Sequence, residues 1–386
     1  MIRLCVIAVF LAVPLHAQDK PVSARLKPFV DNADVSGFVT VVGNKDGIVS
    51  LDVMGKQNLE KDLPMKENSL FRIASMTKPI TAMGIMLLVE EGKLSIDDPV
   101  EKHLPEFKGQ MMVASKDKDT VTLKKPARPI TIKDLLTHTS GMPAPPVGIA
   151  DLYQKRTHTL AEGVMAFSQR PLDFEPGSKW AYCNPGIDTL GRIIEIVSGQ
   201  PYEAFLKARI FEPLGMTDTT FFPGEAQLQR LAITYDRKDG KLLMPPNTII
   251  GPPKDAKYPI PAGGLYSTGP DLAKLYAALL SGGISSGGKK VISPASLKQM
   301  TTVQTGDLKS GFTPGMGWGL GFGVVVTSEG STESLSPGSF GHGGAFGTQA
   351  WIDPVKGKFY VLLIQRVGMG NSDGSKIRQE FQAAAQ

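Results

Sequence analysis

The segment Ser75–Glu91 constrains this chain more than any other, because it reads as a helix with no polar face. Ile80, Met83, Ile85, Met86, Leu87, Leu88 and Val89 point in nearly every direction around a helical repeat. A helix that is apolar all round must be enclosed by other elements. Pro79 is compatible only with a first turn, where its missing N–H has no intrahelical acceptor. Gly92 marks the stop. The remaining sequence is therefore expected to wrap this helix.

With 386 residues, 41% of them hydrophobic and 20% charged, the chain has apolar mass for a large core. Its formal charge of +5 is spread among interleaved acids and bases, which argues against a nucleic-acid footprint. Met1-Ile2-Arg3, the apolar run from Leu4 to Leu15, and Ala17 predict a signal peptide over residues 1–17, with residues 18–386 as the mature chain. The run is short for a membrane span and no later stretch is long enough, so no stable membrane anchor is expected. Cys5 falls in the leader, which leaves Cys183 alone and predicts a mature fold without an internal disulfide.

Gly37–Val42 and Ile48–Val53 flank the turn-rich Gly43-Asn44-Lys45-Asp46-Gly47 and predict a hairpin, within a strand-forming region from Pro28 to Val53. Residues 109–128 read as an exposed loop or weak hairpin, and Ile130–Thr139 as a short helix. Helical periodicity returns at 160–168, 186–198, 202–210 and 271–280. The Pro-rich stretch Ala226–Gly264 reads as a long surface excursion. Strands are expected at 321–327, 350–353 and 359–366, and a closing helix at 377–385. Strands at both ends with helices between them predict an α+β fold. Residues 25–74 and 265–386 form a sheet lobe, with residues 75–264 inserted as a mostly helical lobe. A site is expected in the cleft between them.

Ser-x-x-Lys occurs at Ser75/Lys78, Ser115/Lys118 and Ser286/Lys289, so chance supplies it easily. Only Ser75 opens a buried helix, where a three-residue spacing puts both side chains on one face. The positive potential of a helix N-terminus disfavours a protonated Lys78 and favours an oxyanion nearby. A capping serine followed by a solvated lysine is the open alternative. Gly-x-Ser-x-Gly occurs at Gly283–Gly287 and Gly370–Gly374, but no histidine follows Ser372 and Ser285 follows a helix, so both read as turn glycines. His16, His103, His138, His158 and His342 form no paired ligand motif, and neither metal nor cofactor is expected.

Five segments carry a resemblance. They are Phe71-Arg72-Ile73-Ala74-Ser75-Met76-Thr77-Lys78, Ile130 through Gly141, Pro176-Gly177-Ser178 through Tyr182-Cys183-Asn184, Ala262 through Thr268, and Gly341-His342-Gly343-Gly344. In this order and spacing the chain resembles the serine β-lactamase and penicillin-binding clan. Within that clan it is similar to the class C β-lactamase-like group of family VIII carboxylesterases and D-amino-acid peptidases. The resemblance covers most of the mature chain and implies an antiparallel sheet flanked by helices.

It further implies that Ser75 is the nucleophile and that Lys78 and Tyr182 are a proton-transfer pair, one lowering the pKa of the other. Asn184 would bond the substrate's acyl amide or hold Lys78 in place. The backbone N–H groups of Ser75 and Ala345 would form the oxyanion hole. His342, Gly343 and Gly344 fall where β-lactamases and DD-peptidases carry Lys-Thr-Gly. A histidine supplies positive charge only when protonated, and Gly343 lacks a hydroxyl, so recognition of a substrate carboxylate is expected to be weak. His138 is expected to support the cleft, and Cys183 to fill space. The implied partner is a small ester, amide, β-lactam or short peptide. Three functions follow: an ester or amide hydrolase; a β-lactamase or D-Ala-type peptidase; and an inactive protein that recognises cell-wall peptides.

Overall fold

Strand β1 (Gly37–Asn44) is apolar on both faces, with Phe38 and Val42 packed to one side and Val39 and Val41 to the other. Such a strand must lie inside a sheet covered on both sides. In the computed structural model, which describes residues 21–144, 150–246, 251–369 and 372–386, that is its position. The leader, most of the Pro143–Gly148 stretch, residues 247–250 of the Pro-rich excursion and Gly370 lie outside the described residues.

The other strands of the sheet are β2 (Gly47–Asn58), β3 (Leu63–Pro64), β4 (Met316–Trp318), β5 (Gly323–Val325), β6 (Phe340–Gly343), β7 (Gln349–Asp353) and β8 (Lys358–Leu363). The order is β4-β5-β6-β7-β8-β1-β2-β3, and every neighbouring pair is antiparallel. β1 and β8, far apart in sequence, pair in the middle, with Val41 opposite Val361.

Helices α1 (Val22–Asp31), α2 (Thr77–Glu90), α3 (Asn184–Ser198), α4 (Gly269–Leu280) and α5 (Lys376–Ala384) cover the sheet and build the core. α1 and α5 pack together over the face bearing Phe38, Tyr360 and Leu362. α4 covers β1 and β8 on the opposite face, and α2 and α3 extend that larger core. α2 is buried from Thr77 to Leu88, as its all-round apolar sequence requires. The fold is an α+β arrangement of an antiparallel sheet flanked by helices, with further helices in the middle of the chain.

Three local expectations need correction, and two elements went unpredicted. The region after Pro28 is not wholly strand, because Pro28 lies inside α1 and the burial of Val22 and Leu26 against the sheet outweighs the proline. α2 begins at Thr77, so Ser75 belongs to a preceding 3₁₀ turn, Ala74–Met76. The excursion Ala226–Gly264 does not stay on the surface, since Tyr258, Pro261 and Ala262 are buried. A helix at Pro294–Thr301 and strand β4 had no clear signal, both being short and weakly periodic. Residues 109–128 form the hairpin Met112–Lys116 with Val121–Lys124.

Candidate active site

The two-residue strand Phe71–Arg72 pairs with Tyr266–Ser267 and delivers the chain to Ala74, which takes the left-handed conformation at φ 46°. That region is costly for a residue with a Cβ. The strained turn is pinned from inside. Thr77 Oγ1 donates to the Ala74 carbonyl at 2.7 Å and accepts from the Leu265 N–H at 3.2 Å. Ser75 emerges from this turn partly buried, with its Oγ 3.0 Å from the Lys78 Nζ.

Lys78 is 0% exposed, which rules out the solvated lysine. Burial lowers its pKa to about 7, against smaller upward effects from Asp188 and Cys183. Its second hydrogen bond goes to the Ala262 carbonyl at 2.6 Å. Ser115 and Ser286, by contrast, are exposed on a hairpin and a turn.

Tyr182 arrives from the segment before α3. The Ala181 N–H donates to the His138 carbonyl at 2.9 Å, and the Cys183 N–H donates to His138 Nδ1 at 3.2 Å. His138 caps the helix Ile132–Thr137 in the left-handed conformation, and its ring lies 4.5 Å from that of Tyr182. It is buried and burial holds it neutral, so it shapes the Tyr-x-Asn segment. Lys78 Nζ sits 4.7 Å over the Tyr182 ring, and Ser75 is close enough to the Tyr182 hydroxyl to favour its ionised form. The expected lowering of the phenol pKa does not occur, because desolvation raises it by more than the Ser75 contact lowers it. Of the pair, Lys78 is the group able to accept a proton near neutral pH.

Cys183 caps α3 through Sγ, which accepts from the Gly186 N–H at 3.4 Å. Burial pushes its thiol up to about 12, so it is no nucleophile. Asn184 is exposed at the first position of α3. Among the described residues no hydrogen bond joins it to Lys78, whose acceptor is Ala262 instead.

β6 brings its end against the turn that carries Ser75. A Cβ on Gly344 would lie 2.5 Å from the Ile73 carbonyl oxygen, so only glycine permits this approach. Thr348 Oγ1 bonds the same carbonyl at 3.2 Å. Ala345 follows, exposed, and among the described residues its N–H has no backbone acceptor. A Cβ on Gly343 would meet the Asp373 carboxylate at 2.1 Å, so any larger residue there must displace Asp373. His342 is 3% exposed, and its Nδ1 lies 2.6 Å from the Gly343 carbonyl. Burial first, and Lys78 second, lower its pKa to about 3, so it supplies no positive charge. Trp180, Tyr182, Phe312 and Trp318 pack in edge-to-face and tilted pairs beside it.

Asp188 went unremarked in the sequence. One turn into α3, it is fully buried and accepts from the Tyr153 hydroxyl at 2.7 Å, the Tyr258 hydroxyl at 2.8 Å and the Ala262 N–H at 2.8 Å. It thus anchors Ala262, the residue whose carbonyl holds Lys78. The available signal was an acid on the apolar face of a helix, four residues after Asn184. Among the described residues, no group of three or more His, Cys, Asp or Glu side chains is arranged to hold a metal.

The sequence profile of the beta-lactamase family matches residues 22–385. The chain belongs to the beta-lactamase family. Esterase EstB of Burkholderia gladioli is 28% identical, over 91% of this chain and 92% of its own. A putative D-alanyl-D-alanine carboxypeptidase of Escherichia coli K12 is 30% identical, over 85% of this chain and 76% of its own. The solved structure of EstCE1, described as a hydrolase with promiscuous acyltransferase activity, shares the fold. It superposes with a TM-score of 0.77 at 23% identity, covering 94% of this chain and 97% of that one. This beta-lactamase family member is a serine hydrolase whose relatives include esterases and carboxypeptidase-like proteins. Among the described residues no helix is long and apolar enough to cross a membrane.

Proposed function

We propose that this protein is an exported hydrolase of small esters working through a Ser75 acyl-enzyme. The observation that carries the reading is the fully buried Lys78 Nζ, 3.0 Å from Ser75 Oγ. Neutral Lys78 takes the Ser75 proton as Oγ attacks the ester carbonyl. The N–H groups of Ser75 and Ala345 receive the oxyanion. Tyr182, held neutral by burial, passes a proton to the departing alkoxide and takes one back from Lys78, and the C–O bond breaks. Water then adds to the acyl-serine by the reverse route, releasing the acid and restoring Ser75. Asn184, exposed and not bonded to Lys78, is assigned to the substrate, as is the Gly343–Gly344 edge of β6.

Esters are favoured over penicillins because β6 offers a substrate carboxylate no positive charge. His342 is buried and neutral, and the Asp373 carboxylate abuts Gly343. The aromatic group of Trp180, Tyr182, Phe312 and Trp318 suits an apolar acyl or alkoxy part. The second reading, a D-Ala-type peptidase or β-lactamase, draws on the carboxypeptidase-like relative.

The test incubates the mature chain with 4-nitrophenyl butyrate, nitrocefin and a fluorophosphonate probe, beside Ser75→Ala. Ester turnover and a covalent adduct, both lost in Ser75→Ala, are expected. Unchanged turnover in that variant would remove Ser75 from the mechanism, and fast nitrocefin cleavage with poor ester cleavage would favour the second reading. Absence of both turnover and adduct would favour the inactive recognition protein. Export after Ala17 is checked by sequencing the N-terminus of the protein recovered outside the cytoplasm.

A further inference from the structure

The strand pair that delivers Ser75 carries, on its outer face, groups the hydrolytic residues do not use. Arg72 and Tyr266 are direct cross-strand partners, so their side chains share a face. Thr220 bridges to Tyr266 on the other side, which brings Phe221 and Phe222 to the same edge. Arg156 is laid across them. Its Cζ is 5.1 Å from the Phe222 ring centre, Nε donates to the Tyr258 carbonyl at 2.7 Å, and Nη2 donates to the Phe221 carbonyl at 3.4 Å. Arg72 Cζ lies 4.4 Å over the ring of Phe346, the residue after Ala345.

Both guanidinium groups interact electrostatically with one phenol that is only 2% exposed, and Arg156 is itself 4% exposed. Among the described residues no carboxylate is in ion-pair contact with either arginine. Their electrostatic partners are Tyr266 and, for Arg156, Arg72 itself. Neither the Arg72 guanidinium nor the Tyr266 hydroxyl is hydrogen-bonded to a described residue, yet neither is sealed from solvent. Desolvation lowers the pKa of both arginines, that of Arg156 to about 10. Holding two partly desolvated cations together without a counter-ion is unfavourable, and a bound oxyanion would relieve it.

We propose that Arg72, Arg156 and the Tyr266 hydroxyl form an anion subsite beside the acyl-serine centre. It receives the carboxylate or phosphate of an ester that carries a second, negatively charged group. The substrate class rests on the hydrolase reading above. Guanidinium forks match the paired oxygens of such groups. Charge recognition that β6 has lost would then be supplied from the Arg72 side.

Two pairs of esters test this. Mono-4-nitrophenyl glutarate against 4-nitrophenyl butyrate places the anion on the acyl part, and 4-acetoxybenzoate against phenyl acetate places it on the leaving group. One anionic member is expected to be preferred in kcat/KM. Arg72→Gln should lower that anionic-to-neutral ratio about tenfold, with part restored in Arg72→Lys. Independently of turnover, glutarate and inorganic phosphate are titrated calorimetrically into Ser75→Ala, with and without Arg72→Gln. Binding of either that weakens with Arg72→Gln supports the subsite, and glutarate against phosphate identifies the anion.

An unchanged ratio for both ester pairs overturns the substrate assignment. Absence of Arg72-dependent binding overturns the subsite itself. Should wild type cleave no ester, the hydrolase reading fails and the titration alone decides the subsite. Should Arg72→Gln not fold, Arg72→Lys and Tyr266→Phe are read in its place.

Discussion

Among the described residues Lys78 has no carboxylate in direct contact, and its ammonium gives up its proton readily because burial outweighs the more distant Asp188. As the proposed base it must be neutral, so kcat/KM for 4-nitrophenyl butyrate should climb with pH and level off above about 7. Asp188 opposes that lowering, and His138 and His342, which also face Lys78, are neutral. Asp188→Asn should therefore move the acid limb of the profile to lower pH, while kcat falls because the Ala262 clamp loosens. A profile left in place would refute the electrostatic link. Stability gives a second check. The folded-state pKa of Lys78 is depressed below its unfolded value, so its burial penalty is complete below pH 7 and shrinks as pH rises toward the unfolded pKa. Lys78→Met should stabilise the fold, and the gain measured by urea denaturation should decline by at most ~1.4 kcal/mol per pH unit above that point. Ser75, Lys78 and Tyr182 could be picked from the sequence because each sits in a motif with fixed spacing. Asp188 could not, since its partners Tyr153, Tyr258 and Ala262 come from separate segments.

α3 positions more of the site than any other element. Asn184 starts it, Asp188 lies one turn on, and Gly191 lets it press against the Pro261–Ala262 segment. A Cβ at Gly191 would come 2.3 Å from Pro261 Cγ. Gly191→Ala is expected to cost ~1–3 kcal/mol and to lower kcat more than it changes KM, by shifting the carbonyl that holds Lys78. Thermal denaturation and steady-state kinetics read the two effects. Strong periodicity made α3, α4 and the β1–β2 hairpin visible in the sequence. α1 was hidden by Pro28, and the Ala226–Gly264 stretch was misjudged because its buried end serves as hydrogen-bond acceptor through backbone carbonyls, which leave no mark on side-chain pattern.

β1 and β8, far apart in the chain, meet in one sheet, and α1 and α5 seal a second core on the face away from α2. Leu26, 0% exposed in that core, contributes no group to the site. Leu26→Ala should cost ~2–5 kcal/mol while leaving KM for 4-nitrophenyl butyrate unchanged below the melting transition; a raised KM would show that the two faces are coupled. The sequence by itself determined the central helix, the α+β class and the motif residues, because apolar periodicity and fixed spacings are local properties. Only the tertiary structure decided that Lys78 is desolvated, that His342 is neutral, that Asp188 clamps Ala262 and that Arg72 and Arg156 both act on Tyr266 with no carboxylate among the described residues paired to either. Each of those depends on which distant segments exclude water from a group, and charge in a folded chain is set by that exclusion.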